Sequence, residues 1–275
     1  MFSSEGIKMV IESYQSQAEL LLNNYAFADS SFIFTSVIIG IFACKTVYEL
    51  SPIFSSLYFK SYSSLSRTKQ IEWNNRAMST FHAVYVTIVS LYFIFWSDLY
   101  SHDVFRGPIT LRSSTLSSFA LGVSVGYFVS DLSMIIWFYP ALGGIEYVIH
   151  HLLSLVGGTY SMLMGEAQFY AYNVLISEAT TPSINLRWYL DAAGMKRSRA
   201  YIINGVVIFL VWLVARILLF VYLFYHAYLY FDQVKQMHTS GVLLVLVVPV
   251  VLSVMNLIWF WKIFKGLKKT LAKRH

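Results

Sequence analysis

Two adjacent histidines, His150 and His151, stand about five residues inside an apolar stretch that begins at Ile145. An imidazole near neutral pH can serve as base, nucleophile or hydrogen-bond donor. Placed in hydrocarbon, an ionisable side chain costs about 2.5 kcal/mol or more, so it turns toward a partner or a cavity. Asp131 supplies a partner. It lies about eight residues before the end of the preceding apolar stretch, roughly 12 Å deep at ~1.5 Å of helical rise per residue, and His151 lies at about 9 Å. The short turn Pro140-Ala-Leu-Gly-Gly144 folds these stretches into an antiparallel hairpin of neighbouring helices. Asp131 is therefore expected to reach the histidine pair. A carboxylate bonded to one imidazole nitrogen fixes the tautomer and leaves the other as base or nucleophile; a purely structural bond is the alternative.

Farther along, Glu178, Thr181 and Asn185 recur at i, i+3 and i+7, one polar face of a helix, and Arg216 falls at comparable depth in the next stretch. Together these four are expected to line a polar cavity with the histidines. Glu178 and Arg216 have a second reading as a buried ion pair that orders the bundle. Metal chemistry has little support, because neighbouring helical residues diverge by about 100° and only His82, His150 and His151 fall within helices near one membrane face. No metal site is expected.

The elements that must position these residues are membrane helices. Hydrophobic residues make up 57% of the 275-residue chain and charged residues only 12%, against about 25% charged in soluble domains; the mean hydropathy is +0.59. At roughly 20 residues per crossing, seven candidate spans fall near 31–51, 77–97, 116–139, 145–164, 168–190, 202–230 and 241–264. The fifth is interrupted by Glu178, Pro182, Asn185 and Arg187, and Pro182 and Pro249 are expected to kink their helices. Lys45 and Glu49, at i, i+4, read as a local snorkelling pair. His226 and His238 fall near the far end of the sixth span, where solvated roles are expected. The single cysteine, Cys44, excludes an intramolecular disulfide. Residues 1–30 lack an early apolar core, so no cleaved signal peptide is expected. In that segment Ile7, Ile11, Tyr14, Ala18, Leu21, Leu22 and Tyr25 recur at helical spacing, which suits a helix lying on the membrane.

Fourteen of the twenty Lys and Arg fall on one side of these seven spans, including six between Lys262 and Arg274, while four fall on the other. Cytoplasmic loops retain basic residues, so the N terminus is expected outside or lumenal and the C terminus cytosolic. The basic tail suits anionic lipid. Nucleic-acid binding fits poorly, since these charges sit in short loops beside spans.

Read in order, Trp73-Asn-Asn-Arg76, Ser79, His82, Gly126-Tyr-Phe-Val-Ser-Asp131, His150-His151, Ser177-Glu178, Thr181-Pro182 and Asn185-Leu-Arg-Trp188 resemble the TLC domain family, closest to its small type 4 group. The resemblance covers about 70–265. It implies an all-α membrane protein of about seven transmembrane helices, six of them bundled around a membrane-embedded cavity. The remaining partition is a non-cytosolic segment at 1–30, a first helix and loop at 31–69 and a basic tail at 266–275. An endoplasmic reticulum or Golgi location is implied, with Trp73, Arg76 and His82 added to the cavity residues. In ceramide synthases of this family the matching histidine pair carries acyl transfer from acyl-CoA to a long-chain base. Here the acidic run after their histidines is represented by Ser177-Glu178 and Thr181-Pro182.

The function expected is membrane lipid homeostasis through binding of a lipid or acyl chain in the cavity. The alternative is an acyltransferase using His150 or His151 with Asp131 and acyl-CoA as co-substrate. A seven-helix receptor is a remote third reading, disfavoured because no Asp-Arg-Tyr triplet ends the third span and no Asn-Pro-x-x-Tyr ends the seventh.

Overall fold

The computed structural model describes residues 13–14, 30–101 and 107–272. Among the described residues there are helices and turns and no strand. The amphipathic face expected near the N terminus lies outside the described residues, apart from Tyr14, which is exposed. Lys273 and Arg274 also lie outside them.

Helix α1 spans Ser30–Tyr58. Helix α2, Arg67–Leu91, runs into a π-helical turn at Tyr92–Trp96. Helix α3, Thr115–Trp137, starts at a reciprocal cap in which the Ser114 and Ser117 side chains each accept from the other's backbone N–H, satisfying groups that a helix end otherwise leaves bare. Helix α4, Ile145–Met164, ends at Gly165, whose φ of 71° is the left-handed cap that glycine adopts freely. Helices α5, Gln168–Ile176, and α6, Thr181–Ala192, are joined by a 3-10 turn at Ser177–Thr180. Helices α7, Arg199–Trp212, and α8, Leu219–Leu229, flank a π-helical turn at Leu213–Leu218. Helix α9 spans Thr239–Ala272.

Five segments are long and apolar enough to cross a bilayer: Phe32–Tyr58, Arg67–Trp96, Thr115–Trp137, Arg199–Leu229 and Thr239–Thr270. The other two stretches read as spans from the sequence are different in kind. Helix α4 has 20 residues, but Glu146 and the histidine pair dilute its apolar character. The 168–190 stretch is broken into helices of 9 and 12 residues. Pro182 accounts for part of that break. It occupies the first turn of α6, where its missing N–H costs nothing, so it starts a helix rather than kinking one. Pro249, by contrast, lies inside α9.

Helix α1 packs along α3. The contact depends on small residues, because a Cβ at Gly40 would collide with the Val123 backbone and one at Gly126 with the backbone of Val37 and Ile41. Close backbone approach of this kind replaces hydrophobic driving force in lipid. Helices α3 and α4 pair as the expected hairpin, and α9 packs against α4 and α7.

Candidate functional site

A cavity of about 270 Å³ opens among α2, α3, α4, the α5–α6 segment, α7 with its π turn, and α9. Six helical rods contribute lining residues and α1 contributes none. Its walls hold Asp131, His150, His151, Glu178, Thr181, Asn185, Arg216 and Arg76, so eight of the ten residues expected at the site share one space.

The histidines do not share one carboxylate. His151 Nε2 lies 3.3 Å from Asp131 Oδ2, and His150 Nε2 lies 3.7 Å from Glu178 Oε1. Consecutive residues of α4 diverge around its axis, which sends one ring toward α3 and the other toward the α5–α6 break. The sequence reading brought Asp131 to the pair as a unit. The geometry divides the pair between two carboxylates.

Each carboxylate has its own support. Asp131 Oδ1 accepts from Asn75 Nδ2 at 2.5 Å and Oδ2 from the Tyr127 hydroxyl at 3.3 Å. Glu178 Oε2 accepts from Thr181 Oγ1 at 2.8 Å, and Oε1 accepts from Arg216 Nη2 at 3.3 Å. Arg216 also donates from Nε to Thr180 Oγ1 at 2.9 Å and from Nη1 to Asn256 Oδ1 at 3.2 Å, while its guanidinium lies 4.7 Å from the Trp212 ring centre. The π-helical turn around Arg216 is the kind of local widening that often occurs at functional sites. Nearer the basic end, Arg76 donates to Glu72 from Nε and Nη2 at 3.0 and 2.7 Å and to Asn185 Oδ1 at 2.9 Å. Asn185 returns bonds to the Arg76 carbonyl and to Ser79 and Thr80 hydroxyls.

Imidazole orientation bears directly on chemistry. Asp131 and Glu178 stand against Nε2 of His151 and His150, whereas both Nδ1 atoms are buried without a hydrogen-bond partner. A base or nucleophile presents one nitrogen to substrate and holds the other on its orienting group. Here the nitrogen without a carboxylate is turned into the protein.

Two expected cavity residues lie elsewhere. His82 is buried beneath the cavity, stacked on Tyr127 at 3.7 Å between ring centres, and neither ring nitrogen has a hydrogen-bond partner. Trp73 sits on the far side of α2, where Nε1 donates to Ser55 Oγ at 2.8 Å. Both are on α2: Trp73 faces the groove between α1 and α6, whereas His82 shares the face of Asn75, seven residues earlier, and lies two turns farther along the helix against Tyr127. His226 likewise departs from its expected solvated role: it is buried, with Nδ1 3.2 Å from the Tyr170 hydroxyl and its ring stacked on Tyr230.

Asn75, Tyr127, Trp259 and Lys262 line the cavity without having been singled out. Tyr127 was within reach of the sequence, since it precedes Asp131 by four residues and shares its helix face. Asn75 stands inside the run Trp73-Asn-Asn-Arg76, next to Arg76, whereas Trp259 comes from a distant segment that no local pattern marks. Among the described residues no group of three or more His, Cys, Asp or Glu is placed to hold a metal ion.

A second carboxylate cluster lies at the opposite end. Glu166, in the loop between α4 and α5, accepts from the Tyr160 hydroxyl at 2.5 Å and from the His238 backbone N–H at 3.1 Å, and its Oε1 lies 2.7 Å from His238 Nδ1. Burial opposes ionisation of Glu166, but the hydrogen bonds from Tyr160 and His238 outweigh it and hold its carboxyl below the ordinary 4.5.

Fold and site together define an all-α integral membrane protein whose helices enclose a polar cavity. The TLC domain family matches residues 72–265, which include every lining residue named above. The chain belongs to the TLC domain family. It is 31% identical over 231 residues to TLC domain-containing protein 4 of Homo sapiens, covering 82% of this chain and 85% of the relative. It is 29% identical over 259 residues to TLC domain-containing protein 4 of Xenopus tropicalis, covering 90% and 95%. Identity to TLC domain-containing protein 4-B of Danio rerio is 27% over 226 residues, covering 81% and 84%.

Proposed function

We propose that this protein acts in membrane lipid homeostasis by holding a lipid or acyl chain inside the bundle, with the polar end of the ligand in the His150–His151 cavity. The observation that carries the reading is the succession of two unlike spaces along α4, a polar cavity at His150 and His151 and an apolar cleft from Leu153 onward, each with its own lining. One helical turn beyond the histidines, an apolar cleft of about 70 Å³ is lined by Leu121, Val125, Leu153, Gly157, Val174 and Leu252. At Gly157 a Cβ would meet nothing within 4 Å. A polar chamber with an apolar cleft next along the same helix suits an amphipathic ligand, since polar groups fix orientation and apolar walls supply affinity.

The second reading is acyl transfer. In it a neutral imidazole nitrogen attacks the thioester carbon of acyl-CoA and expels the CoA thiolate, and a lipid amine or hydroxyl then takes the acyl group from the imidazole, freeing the ring and passing its own proton to the thiolate. Lys262 and Arg76 at the mouth would meet the CoA phosphates, and the Asp131–His151 pair favours this chemistry. The buried Nδ1 atoms favour binding. The family points to the endoplasmic reticulum or Golgi, and the basic asymmetry to a lumenal N terminus and a cytosolic C terminus. No nucleic-acid partner is proposed.

Lipidomics of the purified full chain, combined with labelled acyl-CoA assays across lipid amines and alcohols, tests the reading. A discrete co-purifying lipid set that changes in His150→Ala and His151→Ala, without acyl incorporation by the wild type, is the expected result. Incorporation that either variant abolishes while its lipid set persists would establish the transferase reading instead.

A further inference from the structure

On the other side of α2 from the histidine cavity, a groove of about 670 Å³ runs between α1, α2 and α6. Its walls are apolar, formed chiefly by Leu50, Phe54, Ala77, Phe81, Leu190 and Met195. The hollow exists because Ala77 is small where its helical neighbours Trp73 and Phe81 are large. Phe54 and Phe81 are 57% and 51% exposed, so the groove opens sideways toward the bilayer rather than into the bundle.

Every polar group in this lining is already turned inward. Ser51 Oγ donates to Asn74 Oδ1 at 2.9 Å, Ser55 Oγ accepts from Trp73 Nε1, Thr80 Oγ1 donates to the Arg76 carbonyl at 2.7 Å, and the Tyr189 hydroxyl donates to the Trp73 carbonyl at 3.0 Å. The groove therefore offers a ligand hydrocarbon contact and almost no hydrogen bonding. From Val47 to Phe59 its α1 wall extends roughly 18 Å along the membrane normal, a length suited to an acyl chain, and its volume lies within the range of about 300–1,000 Å³ usual for small-ligand sites.

Charge is confined to one end. Lys60 follows the lining residue Phe59, and Lys196 and Arg197 follow Met195; all three basic side chains are exposed. Asp191 holds Lys196 at 2.8 Å, while Lys60 follows directly on the α1 wall and Arg197 lies two residues beyond Met195 on the other wall. We infer that this groove holds one acyl chain of an anionic glycerophospholipid drawn from the leaflet at the basic face, with its phosphate between Lys60 and Arg197. The site is separate from the histidine cavity and stands whatever that cavity binds.

The test uses the full chain in phosphatidylcholine nanodiscs doped with phosphatidylglycerol that carries a photoactivatable diazirine on one acyl chain, with the matching phosphatidylcholine probe as the comparison. Crosslinks are expected to concentrate in peptides covering 50–59 and 186–195, several-fold more with phosphatidylglycerol. Ala77→Trp, which fills the hollow, should lower them at least fivefold while lipid co-purifying from the histidine cavity is unchanged. Leu190→Trp serves the same purpose from the other wall if Ala77→Trp does not fold. Lys60→Gln and Arg197→Gln should each reduce the preference for the anionic probe about fivefold. Labelling spread evenly over the lipid-facing helices, equal labelling by the two probes, or insensitivity to both tryptophans would each overturn the inference.

Discussion

The two ends of the bundle use the same chemical pair to different effect. Toward the basic end, His150 and His151 meet Glu178 and Asp131 inside the helices, and all four side chains are buried. At the opposite end His238 meets Glu166, but the His238 side chain is 67% exposed and the carboxylate ties a loop to the first residues before α9. Where water cannot reach, a histidine–carboxylate pair becomes a cavity wall whose members each require a partner. Where water can, the pair is a strap. The difference is the burial of the histidine, since the Glu166 side chain is as buried as Glu178 and only His238 reaches water; an unpaired charge costs several kcal/mol in the interior and little at the surface.

Substitutions at the inner end should therefore be the costlier. Glu178→Ala leaves the Arg216 guanidinium buried without its carboxylate and is expected to cost about 3–5 kcal/mol, seen as a large fall in the thermal unfolding midpoint in detergent. A Glu178→Gln/Arg216→Gln double variant should recover much of that loss. No recovery in the double variant would mean that the ion pair is not what orders this end.

Asp131→Ala is expected to rank second. It removes the acceptor of Asn75, Tyr127 and His151, and donors left unsatisfied in the interior cost about 1–3 kcal/mol. Unfolding in the same detergent should order it between the Glu178 variant and any change at the outer end.

Glu166→Gln sharpens the contrast, with an expected cost of about 1 kcal/mol for weakened hydrogen bonds. Because the folded carboxyl is held below its ordinary 4.5, its stabilisation is present above that value and is lost as pH falls through the folded value. The wild type should lose this increment on acidification, and the variant should lack it throughout. Equal acid sensitivity in both proteins would show that the strap carries no pH-dependent stability.

The smallest effect on stability is expected at Gly157→Leu. Its side chain would enter open space in the apolar cleft, and replacing a helical glycine offsets part of any crowding, so the unfolding midpoint should move by less than about 1 kcal/mol equivalent. The retained lipid should shift to shorter acyl chains. An unchanged chain profile would detach the cleft from the histidine cavity.

Much of this was legible before any coordinates. Hydropathy marked the apolar helices, and the five-residue turn before Ile145 placed Asp131 and His151 at matching depth. The motif order placed the chain among TLC domain proteins. Periodicity failed where a helix is interrupted: the stretch 168–190 reads as one weak span, yet a 3-10 turn at Ser177–Thr180 breaks it and turns Glu178 toward His150. His82 and Trp73 failed for a related reason. A motif names residues on one helix without their phase or depth: α2 presents Arg76 to the cavity and Trp73 to the groove, while His82, on the face of Asn75, lies two turns farther along against Tyr127.

The amino-acid sequence by itself determined that apolar helices would form in a membrane and that their few ionisable side chains would need partners, because both follow from composition and from the cost of charge in hydrocarbon. Only the tertiary structure decided which partner each obtained. The assignment of Asp131 to His151 and Glu178 to His150, with Asn75, Tyr127 and Arg216 behind them, depends on rotation about helix axes and on the irregular turns near Glu178 and Arg216, and it pairs residues as far as 56 positions apart.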